Sequence, residues 1–197
     1  MLRLDPMGEP ASKLGATLAD YCAFQGEAGT RYELFGGEIV AMNQPTVRHA
    51  ALQMSLGREL LRALDGKCDV LGPMGVYCVA TGEAFGPDVV VLREPASFDP
   101  VLGRALTNPS AIFEILSPST SRIDTHDKLP SYKSIASLRE YVLVSQTKKL
   151  VHVHRRTQTG WTIEQVESGT LVVCGGEISV DAIYERIETS PLLAPKR

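Results

Sequence analysis

The chain has 197 residues, 44% of them hydrophobic and 22% charged, which is the composition of an ordinary globular domain of roughly 150 residues or somewhat more. Disordered, collagenous and coiled-coil chains are thereby excluded, and no apolar run approaches the ~18 residues that a membrane helix needs. The net charge of −3 gives no overall basic field, so a polyanion could be held only by a local patch. The N-terminal MLRLDPMGEPASKLG lacks the apolar stretch of a secretory signal, and a cytoplasmic location with no membrane partner is expected. Cys22, Cys68, Cys78 and Cys174 are scattered without a C-x-x-C pair, so reduced, half-buried thiols are the simpler reading than a zinc or redox motif.

Residues 1–15 read as a loosely held arm broken by Pro6, Gly8 and Pro10, and residues 16–197 as one domain. Thr17 to Phe24 could form a short helix. RYELFGGEIVAM reads as a hairpin, with Gly36-Gly37 supplying the positive φ of a tight turn. TVRHAALQMSLGRELLRAL has helical apolar spacing with Thr46 as N-cap, and Gly66 stops it. CDVLGPMGVYCVA contains two extended pieces broken by Gly72-Pro73. PDVVVL and AIFEIL are apolar on both faces, as strands in the middle of a sheet are. REPASFDPVLGRALTNPS between them is loop-like, and a second helix falls somewhere between Asp124 and Ile135. EYVLVS, KLVHVHRR and WTIEQVE form a meander, closed by LVV and a short SVDAIYERI helix. Helices mixed with a largely central sheet predict an α/β or α+β domain.

Two acids stand out by position. Asp88 opens PDVVVL and Glu114 interrupts AIFEIL, and a carboxylate in an apolar strand is costly to desolvate without a compensating partner. A divalent metal is one such partner and a buried cation is another. Lys128 lies beyond the turn-rich SPSTSRIDTHD. An Asp, a Glu and a Lys converging could hold Mg²⁺ on the carboxylates while the ammonium orients water or stabilises a phosphate. Spacing alone favours the plainer alternative, with Asp88 capping a strand end and Glu114 paired to Lys128 in a salt bridge.

The strings GPDVVVL, NPSAIFEILSPST, DTHDKLPSY and REYVLV, in that order, resemble the PD-(D/E)XK nuclease superfamily. More narrowly they resemble its bacterial Uma branch of restriction endonucleases. The resemblance runs from about Tyr32 to about Val153 and takes in the hairpin YELFGGEIV and His49. It implies a restriction-endonuclease-like core, a central mixed sheet flanked by helices with an N-terminal β-hairpin. It also implies a metal-dependent nuclease, with Asp88 the first acid, Glu114 the second, and the carbonyl of Ile115 completing the shell of Mg²⁺ or Mn²⁺. The motif's lysine belongs two positions after the second acid, where this chain has Leu116. The branch resembled carries it on the next helix, which implies Lys128. DNA as substrate and a homodimer follow by the same analogy.

One local feature supports that placement independently of the family. With Asp127 as N-cap, Lys128, Leu129 and Pro130 occupy a first helical turn, where proline is tolerated. Lys128 then projects near the strand ends, and Tyr132 one turn on faces the same way, to touch substrate or simply to pack. Further candidates each have a plainer reading. Glu33 and Glu38 flank the hairpin turn and either could line the site or stay exposed. His49 could be a base, a phosphate contact or a structural hydrogen-bonder. His152 and His154 alternate as metal ligands can, but on a face that runs into Arg155 and Arg156. Asp124 could cap the second helix. Arg122, Lys128, Lys133, Arg139, Lys148, Lys149, Arg155 and Arg156 crowd the C-terminal half, as a phosphate-binding rim or as scattered surface cations. The competing function is a nuclease fold without catalysis, kept as a binding or assembly module.

Overall fold

The computed structural model describes residues 15–103, 105–117 and 123–190. Of the expected arm only Gly15 lies within that range, its N–H bonded to the Gly37 carbonyl. Thr17 caps α1 (Leu18–Ala23) through a reciprocal pair of bonds with Asp20. β1 (Tyr32–Phe35) and β2 (Glu38–Ala41) pair as the expected hairpin, turned by Gly36 and Gly37 at φ of 58° and 76°. α2 (Val47–Leu64) begins at Thr46, whose hydroxyl accepts the His49 N–H. Its Leu52, Leu56, Leu60 and Leu64 form one fully buried stripe.

After β3 (Asp69–Leu71) and β4 (Val76–Cys78), a strand not foreseen in the sequence, β5 (Glu83–Phe85), turns back on β4. Three residues of EAF are too few to show an alternation, and the strand exists because β1 and β4 flank it. β6 (Val89–Leu92) and β7 (Ala111–Leu116) follow. A single π-turn (Ile123–Asp127), closed by the Lys128 N–H on the Ile123 carbonyl, leads into α3 (Leu129–Ser134). Lys128, not Asp127, is therefore the N-cap residue, and Pro130 sits in the first turn. The wide turn takes up Asp127, which shifts the helix start by one residue. β8 (Glu140–Ser145), β9 (Val151–Thr157) and β10 (Gly160–Val166) make the meander. β11 (Thr170–Val173) gains an unforeseen partner in β12 (Gly176–Ser179), and α4 (Val180–Thr189) ends the described chain with Ser179 as its cap.

Six strands form the central sheet in the order β10-β9-β8-β7-β6-β3. β7 and β8 run parallel and the other pairs antiparallel, so the sheet is mixed and the fold is α+β. One face carries Val89, Val91, Phe113, Val142 and Val153 against α2, α4 and the β11-β12 hairpin. The other carries Val90, Ile112, Tyr141 and Leu143 against α3 and Phe85. A second sheet, β2-β1-β5-β4, adjoins that second layer. Among the described residues no helix is long and apolar enough to cross a membrane.

Two glycines test this packing in opposite directions. A Cβ on Gly176 would lie 2.6 Å from the Ala63 carbonyl oxygen, where β12 meets α2, whereas one on Gly57 within α2 meets nothing within 4 Å. Gly176→Ala is expected to destabilise by about 1–3 kcal/mol and Gly57→Ala to stabilise by about 0.5–1 kcal/mol. Urea unfolding of both variants checks the pair, and equal shifts would refute the close approach.

Candidate active site

Asp88 sits just before β6, held by its N–H to the Phe113 carbonyl (3.1 Å) and by Gln53, whose side-chain N–H donates to its carbonyl (2.8 Å). The β6–β7 ladder begins at Val89 opposite Phe113, so the N–H of Ile115 lies past its end with no strand partner on that side. Asp88 takes that position: Ile115 N–H donates to Oδ2 at 2.7 Å, and His49 Nε2 lies 2.9 Å from Oδ1. A residue's N–H and C=O leave a strand on the same edge, which puts the Ile115 carbonyl beside Asp88.

Glu114 lies inside β7 and is 5% exposed. Its Oε1 accepts the hydroxyl of Tyr132 at 2.9 Å. Tyr132 is fully buried, its ring centroid 5.1 Å from Phe85 and 4.9 Å from Tyr141, so it packs and supports Glu114 and has no surface for substrate. Burial pushes the Glu114 carboxyl well above its ordinary range; Lys128 opposes that shift, while Asp124, Asp88 and Glu33 add to it.

Lys128 is itself buried. Its Nζ lies 2.9 Å from both carboxylate oxygens of Glu33, 3.1 Å from Asp124 Oδ1 and 3.7 Å from Glu114 Oε1, with the Phe85 ring 5.4 Å away. Burial on its own would lower the ammonium's pKa, but Glu114, Glu33 and Asp124 together outweigh it and hold the charge above its ordinary range. The expected Glu114–Lys128 salt bridge is thus the longest of the three pairings, and Glu33 and Asp124 are the principal partners. Glu33, which the hairpin left open as an exposed acid, is buried on β1 and also accepts the Gly86 N–H (2.9 Å).

Asp88, Glu114, Glu33, Asp124, Lys128, His49, the Ile115 backbone and Gln146 line one cavity of about 360 Å³. Glu38 does not; it stands at the turn end of β2 opposite Phe35. By register Glu33 and Glu38 share one face of the hairpin, and Glu38 is left out because it stands at the turn end, away from the cavity. Apart from Lys128, the described members of the basic crowd do not line the cavity. Arg155 pairs with Glu140, Lys149 with Asp181, and Arg156 bonds three backbone carbonyls while stacking on Trp161. Arg122 falls outside the described residues. His154 is buried beside Tyr141 with Nδ1 unpartnered, and burial pushes its pKa down to about 4, so it is neutral and remote from the cavity.

Residues 18–177 match the profile of the Uma2 family, described as putative restriction endonuclease. The chain belongs to the Uma2 family. Two Synechocystis proteins, both described as uncharacterized, are similar to it. One, sll1609, is 29% identical over 153 residues, 76% of this chain and 86% of its own length. The other, slr1290, is 28% identical over 171 residues, 84% of this chain and 89% of its own. A crystal structure of a putative nuclease belonging to DUF820 from Anabaena variabilis has the same fold, with a TM-score of 0.68 at 17% identity over 86% of this chain and 97% of that one.

In this Uma2 member the donors are hard carboxylate and carbonyl oxygens, and four acids share the cavity with two basic residues, Lys128 and Arg31. That surplus of negative charge fits a divalent cation such as Mg²⁺ or Mn²⁺. Among the described residues no three His, Cys, Asp or Glu side chains converge tightly enough to form a metal cage by themselves. A cation here would take two side chains, a carbonyl and water, the coordination that Mg²⁺ favours.

The pairing distances predict opposite outcomes for two neutral substitutions in metal-free buffer. Glu114→Gln keeps the acceptor for Tyr132 and leaves Lys128 its nearer partners. Because burial raises this carboxyl above its unfolded value of 4.5, ionising it costs the folded state progressively more as pH rises from there. Glu114→Gln is therefore as stable as wild type at pH 4 and more stable at pH 8. Glu33→Gln removes the closest counter-charge of a buried ammonium and lowers stability by on the order of 3 kcal/mol. Denaturant unfolding at both pH values in EDTA checks this, and a loss at Glu114 exceeding that at Glu33 would refute the assignment.

Proposed function

We propose that this chain is a divalent-metal-dependent nuclease that hydrolyses phosphodiester bonds, with DNA as the substrate. The observation that carries the proposal is the convergence of Asp88, Glu114 and Lys128 on one cavity, which supports the reading from family membership. Asp88 and Glu114, with the Ile115 carbonyl, are the residues to hold Mg²⁺ or Mn²⁺. When bound, such an ion supplies positive charge against the phosphoryl oxygens and an activated water. Asp88 and Glu114 then fix the position of that charge, and the buried walls keep bulk solvent from screening it.

Lys128 has a narrower part than a proton carrier. Its raised pKa keeps it charged near neutrality, so it does not serve as a base. Held by Glu33 and Asp124, its ammonium is a preorganised positive charge for the pentavalent phosphate and for orienting the attacking water. Cutting both strands of a duplex calls for two copies of a chain with one such site, so a homodimer is part of the proposal. The competing binding-module reading draws on the same pairings, because a lysine already paired to two carboxylates can be purely structural.

Nicking of supercoiled plasmid in Mn²⁺ decides between them. Lys128→Met is expected to lower the rate by about 100- to 1,000-fold while retaining Mn²⁺ binding, and Asp88→Asn to lose both. The variants are purified identically to wild type to exclude a contaminant. Wild-type protein that cuts no nucleic acid with any divalent metal would leave the binding module as the function. Lys128→Met cutting as fast as wild type would remove the lysine from the mechanism and keep the metal site.

A further inference from the structure

Gln146 carried no signal in the sequence, yet it is 5% exposed and lines the acidic cavity just after β8. Its backbone is fixed from two sides, the N–H on the Leu116 carbonyl (3.3 Å) and its carbonyl on Arg48 Nε (2.5 Å). Its side chain meets two residues of the α2 start: Oε1 accepts from the Thr46 hydroxyl (3.0 Å), and Nε2 lies 3.4 Å from His49 Nδ1. The other ring nitrogen, Nε2, faces Asp88 Oδ1 at 2.9 Å.

The proton positions follow from donor counting. As the N-cap, Thr46 Oγ1 already accepts the His49 backbone N–H at 3.1 Å, so its single hydroxyl proton is directed at Gln146 Oε1. The amide is placed accordingly, with Oε1 toward that proton and Nε2 toward the His49 ring. The amide NH₂ can only donate, so the imidazole nitrogen it faces is the bare one. The ring proton is then on Nε2, where it donates to Asp88. With the Ile115 N–H on Oδ2, each oxygen of Asp88 holds one fixed donor and keeps a lone pair for a cation.

We infer that Thr46 and Gln146 are positioning residues that hold His49 in its Nε2–H tautomer and thereby set the aim of the Asp88 carboxylate. His49 is accordingly a positioning residue too. Both its ring nitrogens are engaged, which leaves neither for the base or phosphate-contact roles open to it from sequence. Thr46 acts twice, starting α2 and orienting the amide, so the helix start and the carboxylate are set by one hydroxyl.

The tautomer is observable without metal or activity. In the full-length ¹⁵N-labelled protein at neutral pH, a long-range ¹H–¹⁵N correlation spectrum distinguishes the two ring nitrogens, with His49 identified by its loss in His49→Gln. Wild type is expected to show Nε2–H alone. Gln146→Leu, which removes the donor, is expected to keep Nε2–H, because Asp88 still faces that nitrogen at 2.9 Å, and Gln146→Glu, which only accepts, to place a proton on Nδ1 as well. Mn²⁺ affinity measured calorimetrically should fall about 10- to 100-fold in Gln146→Leu and hold in Thr46→Ser. Should Gln146→Leu fail to fold, Gln146→Met, which keeps the side-chain length and loses the amide donor, carries the same expectations. An Nδ1–H tautomer in wild type overturns the inference, as does a Gln146→Leu protein whose Mn²⁺ affinity matches wild type or a Gln146→Glu protein whose Nδ1 stays bare. The Mn²⁺ arm rests on the proposed metal site. Wild type that shows Nε2–H but binds no Mn²⁺ refutes that site while upholding the hydrogen-bond relay.

Discussion

A buried ammonium has to be neutralised where it stands, and Lys128 is neutralised from three separate parts of the fold. Glu33 arrives from the hairpin sheet, 95 residues away in sequence; Asp124 comes from the preceding π-turn and Glu114 from the central strand β7. Removing a partner from such a pairing is far more costly than never having built it. The interaction therefore locks the small sheet against the large one. Gly86 strengthens the lock by donating its N–H to the same Glu33 carboxylate, and Ser131 of α3 bonds Glu83 of β5. The walls of the cavity are thus set by the contacts that join the two sheets, and the site forms only when both are in place.

The charges do not balance, and the imbalance is localised. Lys128 lies closer to Glu33 and Asp124, and Glu114 has the ammonium at 3.7 Å, a tyrosine hydroxyl and three other acids acting on it. Asp88 is served by the His49 ring and the Ile115 backbone N–H. The two acids with the least compensation are the ones that open onto the same space as the Ile115 carbonyl. A fold selected only for stability would not leave a carboxylate so poorly compensated in the middle of a strand. A perturbed acid lining a cavity is the ordinary mark of a working site.

Much of this was legible in the chain, and what was not has a physical reason. α2 and its Thr46 cap, the hairpin turn, β6, β7 and the meander all follow from patterns local to a dozen residues. So does the oddity of an acid inside AIFEIL. Glu33 was ambiguous because its burial depends on β1 pairing with β5, through Leu34 opposite Ala84, and β5 is too short to announce itself. Glu38 shares the same local pattern, and only the tertiary pairing separates the two. Gln146 was invisible for a stronger reason. It takes its role from the α2 start, about a hundred residues away, and no local rule marks a glutamine after a strand. The basic residues misled in the opposite sense, since charge can be counted in a sequence but the backbone carbonyls that occupy Arg156 cannot.

The placement of Lys128 follows from the same geometry. Position 116, two beyond the second acid, is Leu116, partly buried and packed with the layer that holds Tyr132 and Tyr141. The strand therefore contributes apolar packing where a lysine would have stood. Asp124, Lys128 and Tyr132 recur at intervals of four, across a π-turn that runs without interruption into α3. That spacing keeps them on one side of the segment, and all three act on Glu114: Lys128 at 3.7 Å, Tyr132 by a hydrogen bond of 2.9 Å, and Asp124 through its charge. The turn's extra residue displaces the helix start so that the lysine stands at its entrance, where Pro130 is tolerated and the backbone is not yet committed to the helical ladder. An ammonium brought in on this segment arrives together with a counter-ion on the same turn, Asp124, and with the Tyr132 hydroxyl that supports the acid itself. A lysine on the strand would have brought neither.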